Sequence, residues 1–299
     1  MTRSDCIDFV LLSAIWGVSF LFMRIAVPEF RPFALIGIRC GLAAICLLPL
    51  VLMREGSAQM LAHVRELTVL GFVNAFIPFT LLAYAALSLT TGFAALINAT
   101  TPLWAGVVGL VWLNAKLTRL QWIGLGLGVV GMAVLTWGKV DFKPGGSGSA
   151  IAAALAATLA YAFASHFVKR KLSRVSPLGV ATGCQVVGTI LVLPLAIIYW
   201  PETQPSAQAW AAAILLAVLA TAFALILYFR LISRLGGQKA STVTFLIPVF
   251  AAAWGAAVLG EIPTIPMYVG GAIVLVGTAL TLGLGARFTR KPVAAVQKL

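Results

Sequence analysis

An all-α, polytopic membrane protein of ten transmembrane helices, folded as two inverted five-helix repeats around a central cavity, is what this sequence predicts. Three observations predict it. The 299 residues are 61% hydrophobic and only 10% charged, whereas soluble chains carry about 25% charged residues, so a soluble globule could not hide the apolar excess. Apolar runs recur at the roughly 20-residue length that a bilayer core demands of a helix. The second half of the chain also repeats the first. At a shift of 146 positions Ala94 falls on Ala240, Pro102 on Pro248, Ala105 on Ala251, Gly109 on Gly255, Leu113 on Leu259, Gly124 on Gly270 and Gly131 on Gly277; at 145, Phe22 falls on Phe167, Pro32 on Pro177 and Pro49-Leu50 on Pro194-Leu195. A repeat of this length is a half-protein rather than a solenoid unit.

Taken in order, the first span (7 to 27) follows Arg3 and runs through Met23 without an Ala-x-Ala type cleavage site, so it reads as a retained helix. Trp16 and Ser19 share one of its faces. Pro28 and Pro32 separate it from the second span (33 to 54), which carries Arg39. The third (67 to 88) holds Asn74 one turn before Pro78, and the fourth (92 to 113) holds Asn98 and Thr101 ahead of Pro102, with Trp104 beyond. Gly124, Gly128 and Gly131 lie at i, i+4 and i+7 in the fifth (119 to 137), a stripe that lets helix backbones approach closely, within the monomer or at a dimer face. After a Lys143 to Ser149 linker the sixth span (148 to 168) sets Tyr161 and Ser165 against Trp16 and Ser19. Pro177 opens the seventh (177 to 199), where Thr182, Gln185 and Thr189 line one face. Pro201 and Pro205 precede the eighth (210 to 232), which ends near Tyr228. Gly236-Gly237 open the ninth (238 to 260), where Thr244 stands as Asn98 stands in the fourth. Pro263 and Pro266 introduce the tenth (265 to 285), whose Gly270 and Gly277 repeat the outer two glycines of the fifth. The units are then 1–142 and 150–287, joined by 143–149 and followed by a tail, 288–299.

With a cytoplasmic N-terminus, sixteen basic residues fall on inner segments (Arg3, Arg54, Arg65, Lys116, Arg119, Lys169, Arg170, Lys171, Arg174, Arg230, Arg234, Lys239, Arg287, Arg290, Lys291 and Lys298) and four on outer ones (Arg24, Arg31, Lys139 and Lys143). By the positive-inside rule both termini are cytoplasmic. Five spans per half is an odd number, so the second half lies upside down relative to the first, as in alternating-access transporters whose substrate site sits near the midplane. The net charge of +13 is thereby an orientation signal rather than a nucleic-acid footprint. Membrane lipid and a small-molecule substrate are the expected partners; nothing requires an oligomer.

Polar and aromatic side chains inside spans find no hydrogen-bond partner in lipid, so they either glue helices together or line a shared wet cavity. Recurrence in both halves favours the cavity. The candidate substrate-binding set is therefore Trp16, Ser19, Asn74, Asn98, Thr101, Trp104, Tyr161, Ser165, Gln185, Tyr228 and Thr244, with Trp104 and Tyr228 also readable as packing aromatics. Arg39 has the neutral Cys184 as its repeat mate, and either forms a structural ion pair with Glu261 or Glu29 or attracts an anion or carboxylate. His166 reads as a surface or packing histidine. The acids Asp5, Asp8, Glu29, Glu55, Glu66, Asp141, Glu202 and Glu261 all sit at span ends or in loops, so no midplane carboxylate serves a proton-driven exporter of organic cations. A lone Arg39 would not hold polyanions. A neutral or zwitterionic substrate with an apolar or aromatic body fits, moved by facilitated diffusion. Cys6, Cys40, Cys46 and Cys184 are most simply free thiols; no metal ligand set, cofactor motif or catalytic group is evident. Ser165-His166, as sequence neighbours, point about 100 degrees apart on a helix, which argues against an intramembrane enzyme.

Ala14-Ile15-Trp16-Gly17-Val18-Ser19-Phe20 with Arg24, Pro32 with Arg39, and Leu259-Gly260-Glu261 followed by Gly270 and Gly277 resemble the EamA-type members of the drug/metabolite transporter superfamily, across both halves. The resemblance implies ten helices in two inverted repeats and export of small metabolites from a bacterial cell through its inner membrane. The pattern is also similar to the bacterial aromatic amino-acid exporters, with a drug or sugar-type metabolite carrier as the alternative. Asn114-Ala115 departs from it, standing where a Gly-Glu pair is expected.

Overall fold

The computed structural model describes residues 2–54, 58–143 and 146–283; the tail 288–299, the end of the tenth span, the cations Arg287, Arg290, Lys291 and Lys298, and part of the linker lie outside them. The described residues form helices and turns, without a strand among them. By length and composition seven helices can cross a membrane: Arg3–Met53, Val64–Ala86, Thr91–Leu113, Arg119–Thr136, Gly148–Lys171, Pro177–Ile198 and Ala207–Leu235. Two shorter apolar helices follow, Ile247–Leu259 and Ile265–Thr281.

The first of these differs from the expected pair of spans. Arg3–Arg54 is one helical run bent at Arg31, whose φ of 60° and ψ of 160° are non-helical. Pro32 causes this, because the residue before a proline is barred from the helical region, and Arg31 escapes into a conformation that costs about 1–3 kcal/mol for a non-glycine. Two other expected spans are interrupted. Thr91–Asn98 and Thr101–Leu113 are separated at Ala99-Thr100, and before Ile247–Leu259 the chain passes through Gly237–Ala240 and a 3-10 turn, Ser241–Phe245. Pro102 and Pro248 sit in the first turns of the later helices. A proline clashes with the carbonyl four residues back, here that of Asn98 or Thr244, so both helices break where the candidate polar residues stand.

These irregularities recur at the 146-residue shift. One π-helical turn, Phe72–Phe76, has its counterpart in Val218–Phe223. Left-handed caps end equivalent helices at Asn114 (φ 49°) and Gly260 (φ 65°). There Ala115 N–H donates to Gly109 O at 3.0 Å and Glu261 N–H to Gly255 O at 3.1 Å. Backbone breaks depend on local chemistry rather than overall hydrophobicity, so their recurrence marks two copies of one unit.

Equivalent helices run antiparallel. As the second leg of the bent helix advances from Gly37 to Gly41, its neighbour in Pro177–Ile198 retreats from Ala196 to Thr189. The same holds for Arg119–Thr136 against Ile265–Thr281, where Gly124 meets Gly277 and Gly131 meets Gly270. The halves are thus inverted, and the glycine stripe joins them within one chain. Another contact between halves is also paired: the first leg packs on Ile247–Leu259 as Gly148–Lys171 packs on Thr101–Leu113.

Alternate loops gather at opposite ends. The end at the Arg31 bend carries an aromatic cluster in which the Phe30 ring lies 4.8 Å from Trp210 and 6.2 Å from Trp200, with Phe33 5.4 Å from Tyr199, the residue types of a membrane interface. Glu29 ties the bend to the next half: Ser206 donates to its carboxylate from N at 2.5 Å and from Oγ at 2.8 Å, which holds the Glu29 carboxyl below its ordinary pKa. At the other end Asp8 pairs with Arg230 and, at 3.8 Å, with Arg234, and Asp5 with Arg234 at 3.7 Å.

A methyl at Gly131 would lie 2.7 Å from Val274 N and 3.0 Å from Gly270 O, while one at Gly126 meets nothing within 4 Å. Gly131→Ala should therefore destabilise by about 1–3 kcal/mol, seen as a lower Tm of the purified protein in detergent. Gly126→Ala should leave the Tm unchanged or raise it; equal effects of the two would refute the close intramolecular packing.

Candidate functional site

At the contact between the bent helix and the second half lies Arg39, 7% exposed. Its Nε donates to Thr221 Oγ1 at 3.0 Å, its Nη1 approaches Met23 Sδ at 3.7 Å, and its guanidinium carbon stands 3.7 Å from the centre of the Phe79 ring. Neither expected carboxylate partner is there. Glu29 is engaged by Ser206, and Glu261 by Arg24 and Thr91; among the described residues no acid pairs with Arg39. The pairing expected from sequence is thus replaced by a hydroxyl, a thioether and an aromatic face.

The arrangement has a neutral counterpart. Thr221 Oγ1 donates to Leu216 O at 2.8 Å while accepting from Arg39. At the equivalent contact across the halves Asn74 Nδ2 lies 3.5 Å from Cys184 Sγ, which approaches Leu70 O at 3.9 Å. Leu70 and Leu216 are repeat mates, as are Arg39 and Cys184, and Asn74 and Thr221 occupy the two π-helical turns. Each turn presents its polar side chain to the opposite half.

Of the remaining candidates, Trp16 and Tyr228 meet with ring centres 5.0 Å apart, and Tyr161 lies 6.4 Å edge-on from Phe79. Arg39, Phe79 and Tyr161 therefore form one cluster, with Trp16 and Tyr228 a second contact between the halves. Ser19 is buried and donates to Trp16 O at 2.6 Å. Thr101 donates to Asn98 O at 2.7 Å, the carbonyl that Pro102 displaces, and Thr244 to Ser241 O at 2.9 Å. Buried Asn98 Oδ1 and Gln185 Oε1 have no protein donor. Trp104 is half-buried and Ser165 exposed, its hydroxyl turned back to Ala162 O at 2.7 Å. His166 packs against Gly109, with Nε2 2.8 Å from Ala105 O. Sequence reasoning missed Phe79, Met23 and Thr221. A signal existed: Thr221 lies seven residues before Tyr228 and Met23 seven after Trp16, each on the face of a chosen aromatic.

A second polar group closes the bend end. Arg24 Nη1 donates to Ala86 O and Leu87 O, each at 2.7 Å, at the C-terminus of Val64–Ala86. Glu261 accepts from Thr91 N at 2.8 Å, at the N-terminus of the next helix, and lies 3.8 Å from Arg24. Each charge complements the helix end it touches, so one ion pair clasps the turn between two helices to the first leg and to the second half. The repeat mates, Lys169 and Ala115, cannot form such a pair.

Two inverted helical repeats meeting around buried polar and aromatic groups define a membrane transporter, and the comparisons with known proteins agree. The sequence pattern of the EamA-like transporter family matches residues 6–137 and again residues 148–283; the chain belongs to that family. It is 26% identical over 288 residues to an inner membrane transporter of Escherichia coli K12, YedA, covering 95% of this chain and 92% of that protein. Protein PagO of Salmonella typhimurium is 26% identical over 251 residues, 83% of each chain. A Streptantibioticus cattleyicolor protein named "Probable terminal-alkyne amino-acid exporter" is 28% identical over 202 residues, 67% of each. A crystal structure superposes on 97% of this chain and all of its own with a TM-score of 0.66 at 18% identity, a likeness of fold.

Removing the Glu261 carboxylate leaves a buried Thr91 N–H and Arg24 short of a partner. Glu261→Ala should therefore cost about 1–3 kcal/mol, and Glu261→Gln, which keeps an acceptor for Thr91, less. Thermal unfolding in detergent checks this, and an unchanged Tm in Glu261→Ala would remove the clasp from the account.

Proposed function

We propose that this transporter exports amino acids, aromatic ones included, and related small metabolites across a bacterial inner membrane by alternating access of its two halves. The observation that carries the reading is the cluster of Arg39, Phe79 and Tyr161 where the inverted halves meet: it offers aromatic faces and one positive charge, suited to a small zwitterion with an apolar body. The relative named as an amino-acid exporter supports it. The units are 1–142 and 150–287, with linker 143–149 and tail 288–299. The bent helix supplies two crossings and every other long or short apolar helix one, ten in all. Both termini face the cytoplasm, since the end holding the N-terminus also holds Arg65, Lys116, Arg119, Lys169, Arg170, Lys171 and Arg174. The substrate site comprises Trp16, Ser19, Asn74, Asn98, Thr101, Trp104, Tyr161, Ser165, Gln185, Tyr228 and Thr244, without cofactor, metal or catalytic group. Transport is facilitated diffusion, because the acids lie at the helix ends rather than between them.

Orientation is tested by single cysteines at positions 174 and 203, which should be labelled from opposite sides of the membrane. Labelling of both from outside would overturn it.

Counterflow in proteoliposomes against a panel of amino acids, drugs and sugars tests the activity. In proteoliposomes without internal substrate, labelled aromatic and other neutral amino acids should equilibrate without being concentrated, with or without a pH gradient. Trp16→Ala and Asn98→Ala should slow exchange while folded yield stays near normal. Exchange of drugs or sugars alone makes the chain a different carrier, and a chemically altered product makes it an enzyme. Uphill accumulation abolished by a protonophore refutes facilitated diffusion, and its loss in His166→Ala would name the coupling group.

A further inference from the structure

A buried guanidinium is expensive unless its donors are met, and an unpaired charge more so. Arg39 has five N–H donors, and the described residues offer them one hydroxyl oxygen and one thioether sulfur. The fold does not need this charge. At the equivalent place in the second half a neutral thiol, Cys184, meets the first half's π-helical turn through Asn74 and the carbonyl of Leu70 just before it. Nor is the acid that would neutralise it misplaced nearby: Asp5 and Asp8 are held by Arg230 and Arg234, Glu29 by Ser206, and Glu261 by Arg24 and Thr91. The second half thus shows what the architecture requires at this position, and the first half carries a positive fork in excess of it. Phe79 lies against the flat face of that fork and fixes its plane, while the thioether is a weak acceptor for Nη1 and Nη2 has no hydrogen-bond partner among the described residues.

We propose that Arg39 is the receptor for the carboxylate of the transported molecule, gripped through the guanidinium edge, while Phe79 and Tyr161 flank the substrate's apolar body. This rests on the transport reading above and assigns the group by which its substrates are recognised. A planar carboxylate matches two parallel N–H donors, and in the dry interior the contact discriminates strongly against an isosteric neutral group. The substrate then supplies the counter-charge that the protein omits.

The experiment compares acid and amide of one side chain in proteoliposome counterflow. Unlabelled phenylalanine should compete with labelled phenylalanine at concentrations at least about tenfold lower than phenylalaninamide, the scale of one charge-assisted contact. Arg39→Gln should erase that preference, and Arg39→Lys, which keeps the charge without the fork, should weaken it. Size-exclusion profiles establish that each variant is folded; if Arg39→Gln is not, wild type and Arg39→Lys decide. Equal competition by acid and amide in wild type, or a preference surviving in folded Arg39→Gln, overturns the assignment while amino-acid transport stands. If another carboxylate in the panel is carried with the same Arg39-dependent acid preference and no amino acid is, the assignment stands and the amino-acid reading falls. If every molecule carried lacks a carboxylate, both fall.

Discussion

In a hydrocarbon slab every backbone N–H and C=O must find its partner inside the protein, and that constraint governs where this chain can depart from a continuous helix. Apart from the bend at Arg31, its departures between the helix ends are paired among the described residues: the π-helical turns at Phe72–Phe76 and Val218–Phe223, and the breaks before Pro102 and Pro248. In each π-helical turn a polar side chain faces the opposite half, and at the first break Thr101 satisfies the Asn98 carbonyl. Groups freed by a break are tolerable only where protein, not lipid, surrounds them. The breaks therefore locate the interior surface between the halves, and the candidate polar residues Asn74 and Asn98 stand at them.

Duplication makes this interior symmetric, and departures from symmetry then stand out as additions. Arg39 faces Thr221 where Cys184 faces Asn74. Arg24 and Glu261 form an ion pair where Lys169 and Ala115 cannot. The first asymmetry places charge inside the bundle; the second places a clasp at one end.

Much of this was legible in the sequence, for reasons that can be named. The all-helical membrane class followed from composition, the duplication from the 146-residue shift, and the intramolecular glycine seam was one of two readings of a stripe at i, i+4 and i+7. Less legible was the helix geometry. Pro32 forbids Arg31 a helical conformation but does not say that the helix resumes at once, so two spans became one bent run. Pro248 announces a break, yet the 3-10 turn before it depends on packing. For the site, Trp16, Tyr161 and Asn74 were readable as polar or aromatic groups inside apolar runs. Phe79 was not, because its role comes from touching Arg39, and an apolar residue in an apolar span gives no local sign of a buried cation across the interface.

The partner of Arg39 also misled the sequence reading, and its failure is instructive. Glu29 and Glu261 were the acids nearest in expected depth, but each is captured at the bundle's end by a helix N-terminus: Glu29 by Ser206, which caps Ala207–Ala217, and Glu261 by Thr91. Exposed N–H groups there attract a carboxylate without requiring it to leave the interfacial zone. Moving either acid inward to meet Arg39 would forfeit those bonds and add a second desolvated charge, so the ends keep their acids and the interior keeps an unneutralised cation. That partition also explains how a chain with few acidic residues holds a positive interior. Asp5, Asp8, Glu29 and Glu261 serve as fasteners at the helix ends, and among the described residues no acid pairs with the cation buried between the halves.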